Sequence, residues 1–271
     1  MAITTLDGAL AGMRPPAALS KTGPTMAAAG GQRMYTPWYA AGVPGASTAT
    51  SVGVNGEAVT PALGSVGSQL IRTNPGTGTA YVGRFSAVAS TTGVVYLLDR
   101  IWQNSGLSAT LTTLQSITPA AIGARDMNGA TAGVGIMAGI EWSAAGGAGT
   151  PTVTLTYTNQ AGTTGRTGTL TGVASPPVGT IEFFNLQAGD TGVRAITGYQ
   201  ANATRTSGTF HLILFRIIAQ LEIGTANVSN SLDGLSMGFP RIYDDSVLQL
   251  AFQSTGTTAT NFVATYVETQ G

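Results

Sequence analysis

The sequence holds a single histidine, His211, inside the run Thr209-Phe210-His211-Leu212-Ile213-Leu214-Phe215. Imidazole is the side chain best suited to moving protons near neutral pH, so it is the first group to test for catalysis. Alternate residues of an extended strand share a face, which sets His211 beside Ile213 and Phe215. A hydrolytic triad needs a nucleophile within hydrogen-bond reach of the base and an acid that orients it. No Gly-x-Ser-x-Gly turn is present to supply that nucleophile. The expected role is that of a half-buried strand histidine with a polar partner, and no catalytic residue is assigned.

Acidic residues are the next candidates. Asp244-Asp245 follows Pro240-Arg241-Ile242-Tyr243. Calcium takes six to eight oxygen ligands, and two adjacent carboxylates supply few of them. The reading preferred is a turn before a strand at Val247, with Arg241 as salt-bridge partner; ion binding by Asp244 and Asp245 stays open. Arg125-Asp126-x-Asn128-Gly129 and Gln187-Ala188-Gly189-Asp190-x-Gly192-Val193-Arg194 read as tight loops. In such loops Asp and Asn bond back to nearby amides, and Gly supplies positive φ. Glycoside hydrolysis needs two facing carboxylates, and the 12 scattered acids nominate no pair. Gly76-x-Gly78 lacks the lysine and the following helix of a phosphate cradle. Asn202-Ala-Thr204 and Asn227-Val-Ser229 match the glycosylation pattern but read as accidental. No cofactor and no metal are expected.

Composition narrows the partners. Charged residues make up 9% of the chain, against about 25% in an ordinary soluble domain. With a formal net charge of +0, little repulsion keeps copies apart, so contacts with itself or a partner are expected. Lys21 is the only lysine, and the other basic residues are arginines. Arginine suits buried and interfacial pairs; a GC-rich coding bias gives the same preference. No basic run and no positive excess suggest nucleic acid. There is no cysteine, hence no disulfide. The start, Met-Ala-Ile-Thr-Thr-Leu-Asp, does not resemble a signal peptide. No window approaches the roughly 20 apolar residues of a membrane helix. The expectation is a protein made and assembled in a cytoplasm.

The elements that would carry these residues fall into two parts. Residues 1–78 are rich in Ala, Gly and Pro, and Arg14-Pro15-Pro16 and Gly23-Pro24 bar a long helix or a central strand. A short helix is possible around Thr5 to Met13. The aromatic residues Tyr35, Trp38 and Tyr39 need something to pack on. The reading is an extended arm that docks on a neighbour, with those three as anchors; removal of residues 1–45 should then leave a folded domain. Residues 79–271 carry short strands set off by turn residues: Thr79 to Ala89, Gly93 to Trp102, Ala109 to Ile117, Gly133 to Trp142 and Pro151 to Thr158. Val178 to Leu186, Val193 to Tyr199, Thr209 to Ile223, Val247 to Gln253 and Asn261 to Glu268 complete the set. A weak helix candidate lies at Val228 to Leu235. No fixed repeat points to a propeller or solenoid. The expected fold is all-β, an antiparallel sandwich or jelly-roll-like domain behind an extended N-terminal arm.

Five segments carry a resemblance: Leu97 to Leu107 (LLDRIWQNSGL), Ala124 to Thr131 (ARDMNGAT), Thr156 to Arg166 (TYTNQAGTTGR), Leu186 to Arg194 (LQAGDTGVR) and Gly238 to Asp244 (GFPRIYD). They cover much of residues 94–271, and in this the chain resembles virion structural proteins of tailed bacteriophages. The resemblance implies a non-enzymatic virion protein and brings no catalytic residues. Its leading form is a capsid decoration, or cement, protein that binds between major capsid subunits, contacts copies of itself as a homo-trimer, and stabilises the head. A tail, neck or baseplate component is the alternative, and a receptor- or carbohydrate-binding module a third. Trp102 and Trp142, at the ends of apolar strands, look like core and speak against that third reading.

Overall fold

The computed structural model describes residues 3–23, 33–47, 53, 55–61, 67–69 and 78–271. Gly76, Pro24 and Pro75 lie outside the described residues. The protein is all-β, and every strand pairing within its sheets is antiparallel. Three sheets pack around one organising strand.

The first sheet contains β1 (Ala17–Thr22), β3 (Gly42–Val43), β5 (Ala80–Ala89), β15 (Asn230–Asp233), β16 (Arg241–Ile242) and β18 (Asn261–Gln270), in the order β15-β5-β18-β1-β3 with β16 beside β5. The second runs β11 (Arg166–Thr171), β10 (Thr152–Asn159), β13 (Val193–Ala201), β8 (Gln115–Ser116). The third holds β2 (Arg33–Tyr35), β4 (Glu57–Ala58), β6 (Gly93–Gln103), β7 (Leu107–Ser108), β9 (Met137–Trp142), β12 (Thr180–Phe183), β14 (Thr209–Ile223) and β17 (Leu248–Ser254). Its order is β4-β6-β17-β2-β12-β9-β14-β7, and β14 also pairs with β6. That extra pairing closes the path β6-β17-β2-β12-β9-β14 into a barrel.

Strand periodicity fixes three cores. Phe210, Leu212 and Leu214 of β14 point out of the barrel and pack with Val153, Leu155 and Tyr157 of the second sheet. After a register shift between Ile217 and Ala219, Leu221 and Ile223 pack instead with Phe85, Phe262 and Tyr266 of the first sheet. The opposite face of the strand supplies Ile213 and Phe215 to the lumen, with Met34, Leu98, Ile181 and Ala251. A bulge changes which residues of a strand face a given layer, which is how one strand of 15 residues serves all three.

The N-terminal region departs from the expected arm. β1 pairs along six positions of β18, from Ala17 against Tyr266 to Thr22 against Asn261. β2 closes the barrel between β12 and β17, and Met34 is fully buried in the lumen. The prolines only bound these strands, so short pieces pair where neighbours offer free edges. The expected helix near Thr5 is α1 (Leu6–Ala11), capped by Thr5 accepting from the Gly8 amide at 3.1 Å. The Val228 to Leu235 segment is β15 followed by α2 (Gly234–Met237), whose first turn is capped by Asp233. Ala109 to Ile117 is mostly loop. Its Leu111 and Leu114 are exposed, and the Gln115 side chain bonds both the amide and the carbonyl of Ser108 at 3.1 Å, which closes a turn.

Candidate functional site

One end of the barrel lumen is polar. Glu141 on β9 and His211 on β14 are direct cross-strand neighbours, and Arg100 on β6 pairs with Phe215, further along β14 on the same face as His211. Arg100 donates to Glu141 through both terminal nitrogens, at 2.7 Å each. Tyr39, from the segment after β2, donates its hydroxyl to Glu141 Oε2 at 3.0 Å and lies 3.1 Å from His211 Nδ1. Arg100 Nε reaches Gln103 at 2.8 Å, and Gln103 reaches Glu57 at 2.8 Å. Trp38 covers the guanidinium of Arg100, 5.1 Å from its ring centroid. Arg100, Glu141 and His211 are all buried to within 2% of full burial.

The electrostatics follow from that packing. Burial pushes the Glu141 carboxyl up, but Arg100 and His211 outweigh it and hold the group at about 2. Burial and the Glu141 charge raise the Tyr39 phenol far above its ordinary value of 10. The carboxylate is therefore ionised and the phenol neutral across the physiological range. Both Glu141 oxygens are taken by Arg100, and a carboxylate so engaged has little capacity left as a base. A buried charge that lost its partner would be strongly destabilising.

Four further carboxylates act as hubs. Asp99 accepts from Ser246 Oγ at 2.7 Å and the Val247 amide at 3.0 Å, beside Arg125 at 3.2 Å and Arg216 at 3.4 Å. Arg125 also donates to the carbonyls of Val59 and Asp245. Asp126 takes the amides of Asn128 and Ala130 at 2.8 Å on one oxygen, and those of Gly133 at 3.0 Å and Val134 at 3.3 Å on the other. Glu182 accepts from Trp142 Nε1 at 2.8 Å and the Val173 amide at 2.7 Å, with Arg205 at 3.8 Å and stacked on Trp142. Asp190 gathers Asn159 at 2.7 Å and Arg166 at 2.9 Å and 3.0 Å, together with the Tyr157 hydroxyl. Arg166 and the Tyr157 and Asn159 donors hold the Asp190 carboxyl at about 2.

Each residue singled out from sequence now has a place. His211 shares the lumen face with Ile213 and Phe215, as strand alternation requires, and its polar partners are Tyr39 and Glu141. The loops at Asp126 and Asp190 are the hydrogen-bonded corners that their Asx and Gly residues suggest, with Gly129 at φ +75 and Gly189 at φ +87. Asp244 and Asp245 form an exposed turn. Arg241 is not their partner among the described residues: it lies over the Tyr243 ring at 4.6 Å, with Arg216 at 5.0 Å from the same centroid. Tyr35, Trp38 and Tyr39 pack on this chain's own barrel: Trp38 joins a cluster with Val59 and Val247, and Tyr35 is 7% exposed. The surface that these rings require is supplied internally.

The lumen network itself was missed. Its signal is Asp99-Arg100 interrupting an apolar run, with Glu141 in another and His211 in a third. Charged residues inside strand patterns are buried only when paired. Among the described residues, no group of three or more His, Cys, Asp and Glu could hold a metal ion, and no helix is long and apolar enough to cross a membrane.

No protein-family model and no curated protein matches the sequence. Among solved structures the chain is weakly similar to the crystal structure of an infectious bursal disease virus VP2 subviral particle. The alignment covers 95% of this chain and 81% of that one, at 8% identity and a TM-score of 0.20. A TM-score at that level carries no argument about fold or function.

Proposed function

We propose that this chain is a non-enzymatic structural protein of a virus particle, and specifically a phage capsid decoration protein that binds between major capsid subunits and braces the shell. The observation that carries the reading is where its few charges go. The buried carboxylates Asp99, Asp126, Glu141, Glu182 and Glu268 all accept hydrogen bonds from within the fold. His211, the sole imidazole, is committed to Tyr39 and Glu141. Such a design commits many of its ionisable groups to internal hydrogen bonds and leaves a sparsely charged surface on which Leu111, Leu114, Met127 and Leu235 are exposed. A surface of that kind suits close, permanent contact with other subunits. The tailed-phage resemblance of residues 94–271 points the same way.

Copy number tests the reading. Quantitative mass spectrometry of purified particles should find the chain in hundreds of copies. A count near a dozen would overturn decoration and favour a tail, neck or baseplate ring, and absence from particles would overturn both.

A further inference from the structure

The second sheet ends at β11, and the edge of that strand is only partly used. Thr169 exchanges both backbone bonds with Asn185, at 2.9 Å and 2.8 Å. In an antiparallel ladder the residue two positions on turns its N–H and C=O the same way, so those of Thr171 also point away from β10. Its neighbour Gly172 points inward, to the Pro151 carbonyl at 2.9 Å. Beyond the Thr169–Asn185 bridge, no backbone pairing joins the β11 edge to β12 among the described residues. The wedge between them is an open groove of about 410 Å³. Arg33, Thr150, Leu170, Thr171 and Glu182 line it.

The groove carries one charge that makes no hydrogen bond among the described residues, Arg33. Glu182, at its back, is engaged by Trp142 Nε1 and the Val173 amide, and Arg205 offsets its charge from 3.8 Å. Arg33 sits across from Glu182 on β2, half-buried, and makes no hydrogen bond or salt bridge among the described residues. Arg33 feels the Glu182 charge but holds no hydrogen bond to it. A half-buried guanidinium with its donors unused, in a groove lined by Leu170, favours a carboxylate, which it can grip with two parallel bonds. An open strand edge favours an extended chain, which gains main-chain bonds there.

We propose that this groove docks an extended segment of a partner chain bearing a carboxylate side chain, which Arg33 grips while its backbone pairs with Thr171. The site goes beyond the particle reading and does not depend on it. Charge complementarity selects the occupant: an apolar or basic segment would leave the Arg33 donors without an acceptor.

Amide and Arg Nε NMR shifts of the full chain test this, with acetyl-Val-Glu-Val-amide, its Gln counterpart and acetate as probes. The Glu peptide should shift both the Thr171 amide and Arg33 Nε, with at least about tenfold higher affinity than the Gln peptide. Arg33→Gln, with an unchanged melting temperature, should remove that preference. Equal binding of the two peptides in the wild-type chain, or none, would overturn the proposal whether or not the variant folds. If acetate reproduced the Arg33 shift and neither peptide moved Thr171, the groove would be a simple anion site, and segment docking would be wrong.

Discussion

Replacing Glu141 by Gln keeps the shape of the side chain and removes its charge. Arg100 would then sit in the barrel lumen, 1% exposed, with one neutral acceptor in place of two charged ones. Tyr39 would lose the carboxylate oxygen it donates to at 3.0 Å. Breaking a buried pair from one side costs about 3–5 kcal/mol. The acid titration of the site gives a second route to the magnitude. The Glu141 carboxyl moves from 4.5 to about 2 on folding, because Arg100 and His211 outweigh burial. At about 1.4 kcal/mol per pH unit this corresponds to about 3 kcal/mol. A depressed carboxyl contributes stability that is fully present above pH 4.5 and is lost as pH falls through 2. Urea titrations of both proteins at pH 7 and at pH 3 test the two numbers together. The variant should be less stable by about 3–5 kcal/mol at pH 7, and the gap should narrow at pH 3. A difference below about 1 kcal/mol at pH 7, or a gap that does not depend on pH, would refute the account of the lumen pair.

Asp126→Ala should cost about 3 kcal/mol by leaving four backbone donors unpaired, and hydrogen exchange should speed up at Asn128, Ala130, Gly133 and Val134. Lys21 donates to the carbonyls of Ala40 at 2.9 Å and Gly45 at 2.8 Å, and burial lowers its pKa from 10.5 to about 8. Between those values the unfolded chain binds more protons, so this group makes stability rise with pH; Lys21→Met should flatten that slope in paired melts from pH 8 to 10.5. Gly133 has φ +87 and lies where a Cβ would meet the Val193 carbonyl oxygen at 2.4 Å, so Gly133→Ala should destabilise by more than about 1 kcal/mol in thermal melts. Deleting residues 1–45 removes β1 and the barrel strand β2, so circular dichroism should show an unfolded chain and not a trimmed domain.

Strands with strong internal patterns were legible, and for a clear reason. Gly93 to Trp102, Thr209 to Ile223 and Asn261 to Glu268 lie within a few residues of β6, β14 and β18 because apolar side chains in each face one or two cores. Alternation also placed His211 correctly on the face of Ile213 and Phe215. β2 was not legible. Its three residues become a strand because β12 and β17 offer free edges on either side, and nothing local in Arg33-Met34-Tyr35 encodes that. Ala109 to Ile117 misled in the opposite sense, since Leu–Thr alternation does not make a strand where the leucines find no core. The rings of Tyr35, Trp38 and Tyr39 did announce a need for burial, but a sequence cannot say whose surface meets it. The lumen ion pair could have been suspected from charges inside apolar runs; which acid meets which base depends on barrel closure, a contact between β6 and β14 more than a hundred residues apart.

The most direct test of the proposed role is reconstitution. Purified chain should be added to purified phage shells that lack it, and shell-bound protein and shell melting temperature measured together. The account predicts saturable binding at a fixed ratio to the major capsid protein and a shell that melts at a higher temperature. Protein that stays in the supernatant, or binds without moving the shell melting temperature, would contradict it.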